Sequence, residues 1–162
     1  KLEQLDPRAA ETARYLRDFA PGPVFDGTDV RYYPNGESMF ADMLPALRSA
    51  RRSIYVESFI IGMGEMWGQI HEILRQKAAQ GLDVRVVYDD AGCLSLLPRN
   101  YDEILRAEGI RAFSFNRFVP LLNLVMNNRD HRKIMVIDGR IAFTGGVNLA
   151  DEYINKLKRF GY

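Results

Sequence analysis

An alternation of strand-like and helix-like segments in the middle of the chain is the feature that most limits its possible folds. An apolar run at 53–61 is followed by an amphipathic segment at 65–80, and a second apolar run follows at 84–88. Gly81 ends the amphipathic segment, as glycine commonly does after a helix. Because strand–helix–strand sequences form right-handed units with parallel pairing, we predict an α/β fold.

Other segments continue this alternation in both directions. Further helices are predicted at 7–20, 38–50 and 101–108, and further strands at 29–33, 110–115, 133–137 and 140–144. Asp138-Gly139 joins the last two strands and is a strong hairpin signal, so that pair is antiparallel. The predicted fold is a mixed, mostly parallel β-sheet sandwiched between helices, with an antiparallel hairpin near its end. We assign 1–26 to an N-terminal helical extension and 27–162 to one globular domain.

A two-residue turn at 138–139 predicts which side chains of the hairpin share a face. In that register Lys133 lies opposite Thr144, and His131 lies opposite Gly146. His131 and Lys133 are two residues apart on one strand, so they also project to the same side. The hairpin is therefore expected to gather an imidazole, an ammonium group, a hydroxyl group and a glycine-lined gap in one patch.

Residues beside this patch extend the prediction. Asn148 follows the second strand of the hairpin, where its side chain can cap the next helix and its amide can donate to an anion. An imidazole, a fixed cation and amide donors around an open space suit a phosphoryl group. Asp138 lies at the turn, away from the patch, and is expected to support the site without contacting phosphate. Each residue alone has an ordinary structural explanation, and their joint spacing favours a site.

This spacing resembles the signature of the phospholipase D superfamily. The matching residues are His131-x-Lys133, then Asp138 after four residues, then Gly145-Gly146-x-Asn148 after six more. The surrounding sequence is similar more specifically to bacterial cardiolipin synthases. The similar segments lie at 33–36, 53–61, 87–92, 127–133 and 143–153.

The resemblance implies a two-step phosphodiester exchange. His131 would attack phosphorus and form a phosphohistidine, while Lys133, Asn148 and the Gly145-Gly146 segment would hold the phosphoryl oxygens. A second histidine, from another copy of the motif, would protonate the leaving alcohol. In cardiolipin synthases the exchange moves a phosphatidyl group between two phosphatidylglycerols. The resemblance implies neither a metal nor another cofactor, because lysine supplies the positive charge.

The sequence carries one copy of the motif, whereas full-length cardiolipin synthases carry two. His71 lacks a lysine two residues later, and we expect it to be a surface helix residue. The resemblance therefore implies the first catalytic half of a longer enzyme, completed by the missing half or by a homodimer mate. Such an enzyme would act on phosphatidylglycerol or another phospholipid at a bacterial cell membrane. This part has no apolar run of the roughly 18–20 residues that span a bilayer, and is expected to be soluble.

Two alternative functions are left open by the sequence. One is a phospholipase D hydrolase, or a single-motif dimeric phosphodiesterase or endonuclease, of the same superfamily. The other is a catalytically inactive fragment that binds lipid. The formal net charge of +1 argues against a nucleic-acid partner. The apolar stretch 118–126 argues the same way. It is either a contact for acyl chains or the bilayer surface, or a buried loop or short core helix, and the sequence alone slightly favours the buried alternatives.

Several other polar side chains are candidates for a role in the site. Glu57 lies in an apolar strand and needs a partner, so it either orients His131 or forms a structural ion pair with an arginine. Thr144 is a candidate to replace the serine hydroxyl that many superfamily members have where this chain has Gly146. Asp89-Asp90 could serve a metal or acid–base chemistry, but we favour a structural role in the loop. Cys93 is the single cysteine, and no Cys/His cluster has zinc spacing.

Overall fold

The computed structural model describes residues 2–20, 25–117 and 128–158. The chain divides into two compact units, 1–32 and 33–162. The first unit contains helices α1 (Leu2–Leu5) and α2 (Pro7–Phe19). Asp6 caps α2, because its carboxylate accepts hydrogen bonds from the N–H groups of Arg8 and Ala9 at 2.9 and 3.2 Å. The assignment of 1–26 to an extension stays a prediction.

The second unit contains the alternating elements predicted from the sequence. In chain order they are α3 (Gly36–Ser49), β1 (Ser53–Ser58), α4 (Glu65–Ala79), β2 (Asp83–Asp89), α5 (Asp90–Cys93), α6 (Tyr101–Ala107), β3 (Arg111–Phe115), β4 (Lys133–Ile137), β5 (Ile141–Thr144) and a 3₁₀ helix (Asp151–Ile154). The strand predicted at 29–33 is wrong. Val30 and Tyr32 are 88% and 84% exposed there, and no neighbouring strand pairs with the described segment.

The five strands form one mixed sheet in the order β3-β2-β1-β4-β5. Strands β1, β2 and β3 run parallel, whereas β4 is antiparallel to both β1 and β5. The predicted α/β class, with a mixed sheet and an antiparallel hairpin, is confirmed. Since β4 runs against β1, the start of β4 lies at the same sheet edge as the ends of the three parallel strands.

The core lies on one face of this sheet. Side chains such as Ile54, Val86 and Met135 point to that face and are at most 3% exposed. Helices α3 and α4 contribute the facing side chains, among them Leu47 and Trp67, which are 0% exposed. The opposite face is more open in the described part of the chain. It carries Tyr55, Arg85 and Phe113 among its exposed side chains.

The register of the hairpin differs from the prediction by one residue. Ile137 pairs with Ile141, and Ile134 pairs with Thr144, so three residues, 138–140, connect the paired ends. Asp138 and Gly139 have φ values of 55° and 67°, and the Arg140 N–H donates to the Ile137 carbonyl at 3.0 Å. A shift of one residue moves each side chain to the other face. The predicted Lys133–Thr144 pair is therefore wrong, and the pairing does not extend to His131 and Gly146.

Candidate active site

The sheet edge that holds the start of β4 also holds the residues of the predicted site. Lys133 is the first residue of β4 and lies across from Ser58, the last residue of β1. His131 precedes the strand by two residues. Asp89 ends β2 at the same edge. The antiparallel pairing of β1 with β4 and the parallel pairing of β1 with β2 thus bring residues distant in sequence to one edge.

His131 and Lys133 meet on the ring of Phe59. The Lys133 ammonium lies 5.1 Å from the centroid of that ring, and the His131 imidazole centroid lies 4.6 Å from it. Lys133 also donates a hydrogen bond of 2.8 Å to the His131 carbonyl. The structure therefore brings together the two residues that the motif predicts, with His131 exposed and Lys133 only 9% exposed.

Burial determines the electrostatics of Lys133. Removal from water lowers the pKa of the Lys133 ammonium, and the nearby Asp130 carboxylate opposes this shift. Phe59 offers the face of its ring, which attracts cations. A partly desolvated ammonium next to an exposed imidazole is suited to bind an anion more strongly than a fully hydrated lysine would.

Asn148 lies beside the segment that directly follows β1. Its Oδ1 accepts a hydrogen bond from the Ile60 N–H at 3.0 Å, and its Nδ2 donates to the Tyr153 hydroxyl at 2.6 Å. The side chain is buried. The predicted helix-capping role of Asn148 is wrong. The N-cap of the 3₁₀ helix is Ala150, whose methyl side chain cannot accept a capping bond, and the Asn148 side chain is instead bonded to Ile60 and Tyr153.

Gly145 and Gly146 border open space. Both are exposed, and a Cβ built on either would meet no heavy atom within 4 Å. Gly145 has a φ of 153°, a backbone conformation that residues with a side chain rarely adopt. Thr144 is exposed and shares its face with Ile134, the opposite face from Lys133. The structure therefore does not bring the Thr144 hydroxyl to Lys133, in contrast to the prediction.

Asp138 lies at the turn, at the other end of β4. Its carboxylate accepts hydrogen bonds from the backbone N–H groups of Arg51, Arg52 and Ser53 at 2.9, 2.8 and 2.9 Å. These backbone donors hold the pKa of the Asp138 carboxyl below its usual value. The residue thus ties the hairpin to the connection between α3 and β1, and does not lie with His131.

Of the two arrangements predicted for Glu57, the structure shows the ion pair with an arginine. Its Oε1 lies 2.7 Å from the Arg132 guanidinium, as in a structural ion pair. Burial and the adjacent Asp130 carboxyl raise the pKa of Glu57, whereas Arg132 lowers it. Arg132 also binds Asp130 at 2.9 Å. This cluster holds the residues on either side of His131 and does not contact the His131 ring.

Asp89 holds the backbone segment that directly precedes His131, a role that the sequence did not reveal. Its buried carboxylate accepts hydrogen bonds from the N–H groups of Asp130 and Gly92, both at 2.9 Å. Arg129 lies 3.3 Å from the same carboxylate. The neighbouring Asp90 accepts from the Ser114 hydroxyl at 2.7 Å. These contacts agree with the structural role predicted for 89–90. However, the backbone that Asp89 holds, just before His131, lies about 40 positions away from Asp89 in sequence.

Other predictions concern features outside this cluster. His71 is not a simple surface residue, because it pairs with Glu108 at 2.5 Å and stacks on Trp67. The apolar stretch 118–126 lies outside the described residues. Within 2–20, 25–117 and 128–158, no group of three His, Cys, Asp or Glu side chains could hold a metal ion. In the same ranges no helix has both the length and the apolar character needed to cross a bilayer.

Known sequences match most of the chain. The family model described as "Cardiolipin synthase, PLD-like domain" matches residues 43–157. Cardiolipin synthase 2 of Staphylococcus epidermidis is 39% identical over 134 residues, which are 83% of this chain and 28% of that protein. An uncharacterised protein of Streptococcus mutans is 46% identical over 162 residues, which are 100% of this chain and 35% of that protein. The chain thus spans about a third of the length of these relatives.

Two solved structures share the fold. Nuc from Salmonella typhimurium, a phospholipase D family member, has a TM-score of 0.53 and 21% identity, covering 72% of this chain and 68% of Nuc. NucT from Helicobacter pylori has a TM-score of 0.53 and 16% identity, covering 74% of this chain and 72% of NucT. At these identities the likeness describes the arrangement of strands and helices alone.

Proposed function

Because the chain belongs to the phospholipase D-like family of cardiolipin synthase domains, we propose that it supplies half of the active site of a phosphatidyltransferase. The enzyme would make cardiolipin and glycerol from two phosphatidylglycerols at a bacterial membrane surface. The observation that carries the proposal is the pairing of an exposed His131 imidazole with a buried Lys133 ammonium on the Phe59 ring. A second histidine motif would come from another segment of the full-length protein or from a second copy.

The first step would transfer the phosphatidyl group to His131. An unprotonated ring nitrogen attacks phosphorus, a phosphorus–nitrogen bond forms, and the phosphorus–oxygen bond to the glycerol head group breaks. The second histidine gives its proton to the departing glycerol oxygen. An imidazole suits both roles, because its ordinary pKa near 6.5 makes both protonation states accessible at neutral pH. Positioned proton transfer of this kind contributes about 10²–10⁴-fold to the rate.

The second step would reverse this chemistry with a new alcohol. The hydroxyl of a second phosphatidylglycerol gives its proton to the second histidine and attacks phosphorus, and the phosphorus–nitrogen bond to His131 breaks. Lys133 would balance the charge on the phosphoryl oxygens in both steps. Its low exposure favours this role, because a cation already removed from water needs little reorganisation when the charge develops. Asn148 would donate its amide to the same oxygens.

Intact-mass measurement of the full-length protein tests this function. The purified enzyme is mixed with phosphatidylglycerol in detergent micelles and quenched in base, which preserves phosphohistidine. We expect an adduct of one phosphatidyl group that disappears in His131→Ala and persists in His71→Ala, the matched histidine control. Cardiolipin and glycerol as products support transfer, whereas phosphatidic acid indicates hydrolysis. An adduct that survives in His131→Ala, or a wild-type enzyme without adduct and without product, contradicts the proposal.

A further inference from the structure

We propose that Tyr153 is a positioning residue for the Asn148 amide. The proposal rests on the proposed function and extends it to a side chain outside the His-Lys-Asp signature. Tyr153 lies in the 3₁₀ helix that follows the glycine pair, five residues after Asn148. Its hydroxyl oxygen accepts the hydrogen bond of 2.6 Å from Asn148 Nδ2.

The backbone fixes the orientation of the amide. The Ile60 N–H can only donate a hydrogen bond, so the atom 3.0 Å from it must be the Asn148 carbonyl oxygen. The Nδ2 group therefore faces Tyr153. Of the two hydrogens on Nδ2, one is directed to the Tyr153 oxygen, and the direction of the other is then set by the planarity of the amide. Among the described residues, loss of the Tyr153 oxygen would leave only the hydrogen bond from the Ile60 N–H to the Asn148 side chain, and the amide could rotate about that bond.

Asn148 is anchored next to the residue that contacts the reactive pair. Its backbone anchor, Ile60, directly follows Phe59, and the ring of Phe59 contacts both His131 and Lys133. The Asn148 anchor is therefore the residue next to the one whose ring contacts the nucleophile and the cation. The second Nδ2 hydrogen is the donor that we assign to a phosphoryl oxygen bound there.

Tyr153 is itself held in place by close backbone packing. Its N–H donates to the Ala150 carbonyl at 3.0 Å, which closes the 3₁₀ turn. Its carbonyl oxygen lies where a Cβ on Gly36 would be, since a Cβ built on Gly36 falls 1.9 Å from that oxygen. Only glycine at the start of α3 permits this approach. The Tyr153 side chain thus belongs to a segment that packs closely against α3. Such restraint suits a residue that orients another side chain.

A double-mutant cycle in the full-length protein tests the proposal. We expect Tyr153→Phe to lower kcat about tenfold, the size of effect found when a supporting partner of an active-site group is removed. KM should stay within about twofold, because the lost interaction serves the transition state. Asn148→Ala should be at least as damaging. The variant carrying both changes should be no slower than Asn148→Ala alone, since Tyr153 acts through Asn148.

Tyr55→Phe is the matched control. The Tyr55 hydroxyl also makes one hydrogen bond, to Asp83 at 2.9 Å, but on the open face of the sheet. Its kinetics should equal those of the wild type. Additive losses in the double variant, or wild-type kcat in Tyr153→Phe, overturn the role of Tyr153 and leave the phosphohistidine mechanism in place. A wild-type enzyme that forms no phosphohistidine overturns the proposed function and this inference together.

Discussion

At the scale of single residues, Lys133 combines a functional charge with an unfavourable location. Among the described residues its ammonium donates one hydrogen bond, to the His131 carbonyl. No carboxylate is paired with it there, and burial lowers its pKa. A charge that is buried with few partners costs folding free energy. The proposed reaction explains why a lysine is placed where an apolar side chain would pack more easily.

Lys133→Met should therefore separate activity from stability. Methionine has a similar length and no charge, so we expect the free energy of unfolding to stay equal or to rise by up to about 1 kcal/mol. Activity should fall about 10²–10³-fold, because the phosphoryl charge is no longer balanced. Urea denaturation and the transferase assay provide the two measurements.

Lys77→Met is the control for Lys133→Met. The Lys77 ammonium also bonds a carbonyl, that of Ala50 at the end of α3, at 2.8 Å. This variant should keep its activity and lose about 0.5–1.5 kcal/mol of stability, the usual contribution of such a bond. A large loss of stability in Lys133→Met would mean that the lysine is mainly a structural residue.

At the scale of secondary-structure elements, the turn at 138–139 shows what local sequence decides. Asp138-Gly139 correctly predicts a hairpin, because both residues adopt positive φ. The pattern does not decide whether Arg140 belongs to the loop or to β5. That depends on whether Phe143 or Ala142 faces the core, and the larger Phe143 is buried across from Met135. The face of Thr144 follows from this choice, so the sequence alone placed it wrongly.

Asp138 makes the connection between this hairpin and β1 sensitive to acid. Its folded pKa is depressed, so the stability it contributes is fully present above the unfolded value near pH 4 and is lost as pH falls through the lower folded value. We expect Asp138→Asn to lower Tm at pH 7. The difference in Tm between variant and wild type should narrow below about pH 4, where the wild-type carboxylate takes up its proton.

Asp18→Asn provides the comparison for Asp138→Asn. The pKa of Asp18 is also lowered, by its hydrogen bond to the neighbouring Arg17, but this pair lies at the surface. Exposed ion pairs contribute little, so Tm should change little at any pH. A difference in Tm for Asp138→Asn that is constant from pH 7 to pH 3 would show that the charge of Asp138 is not the cause.

Two glycines on either side of β5 test the role of backbone conformation. Gly139 and Gly146 both face open space, but only Gly139 has a positive φ, 67°. Gly139→Ala should cost about 1–2 kcal/mol, because the left-handed region is unfavourable for residues with a Cβ. Gly146→Ser should change stability by less than about 0.5 kcal/mol. Equal costs in urea denaturation would show that the conformation of the turn is not what requires Gly139.

At the scale of the whole molecule, the sequence predicts those site residues that lie on one continuous segment of the chain. His131 and Lys133 are two residues apart, and their chemistry and proximity follow from the motif alone. The contacts that hold them depend on the order of strands in the sheet. Asp89 reaches the backbone of Asp130 only because both lie at one sheet edge, and Asn148 reaches Ile60 just after the end of β1. No spacing in the sequence predicts such pairs.

The open face of the sheet leads to the final prediction. Phe113 on β3 is 59% exposed there, whereas Ile54 on the core face of β1 is 0% exposed. We expect Phe113→Ser in the 162-residue chain to change the free energy of unfolding by less than about 0.5 kcal/mol. Ile54→Ala should cost about 2–5 kcal/mol, because it leaves a cavity in the core.

The comparison between these two variants bears on what surrounds the sheet. Parallel strands such as β1, β2 and β3 are usually covered on both faces. If Phe113→Ser costs as much as Ile54→Ala in urea denaturation, the face around Phe113 is buried in solution. A second copy of the chain would then be the first candidate to cover it, and the cost would depend on protein concentration. A small cost that is independent of concentration agrees with the exposure of Phe113 and with a core that, in the described residues, lies on the other face of the sheet, against helices such as α3 and α4.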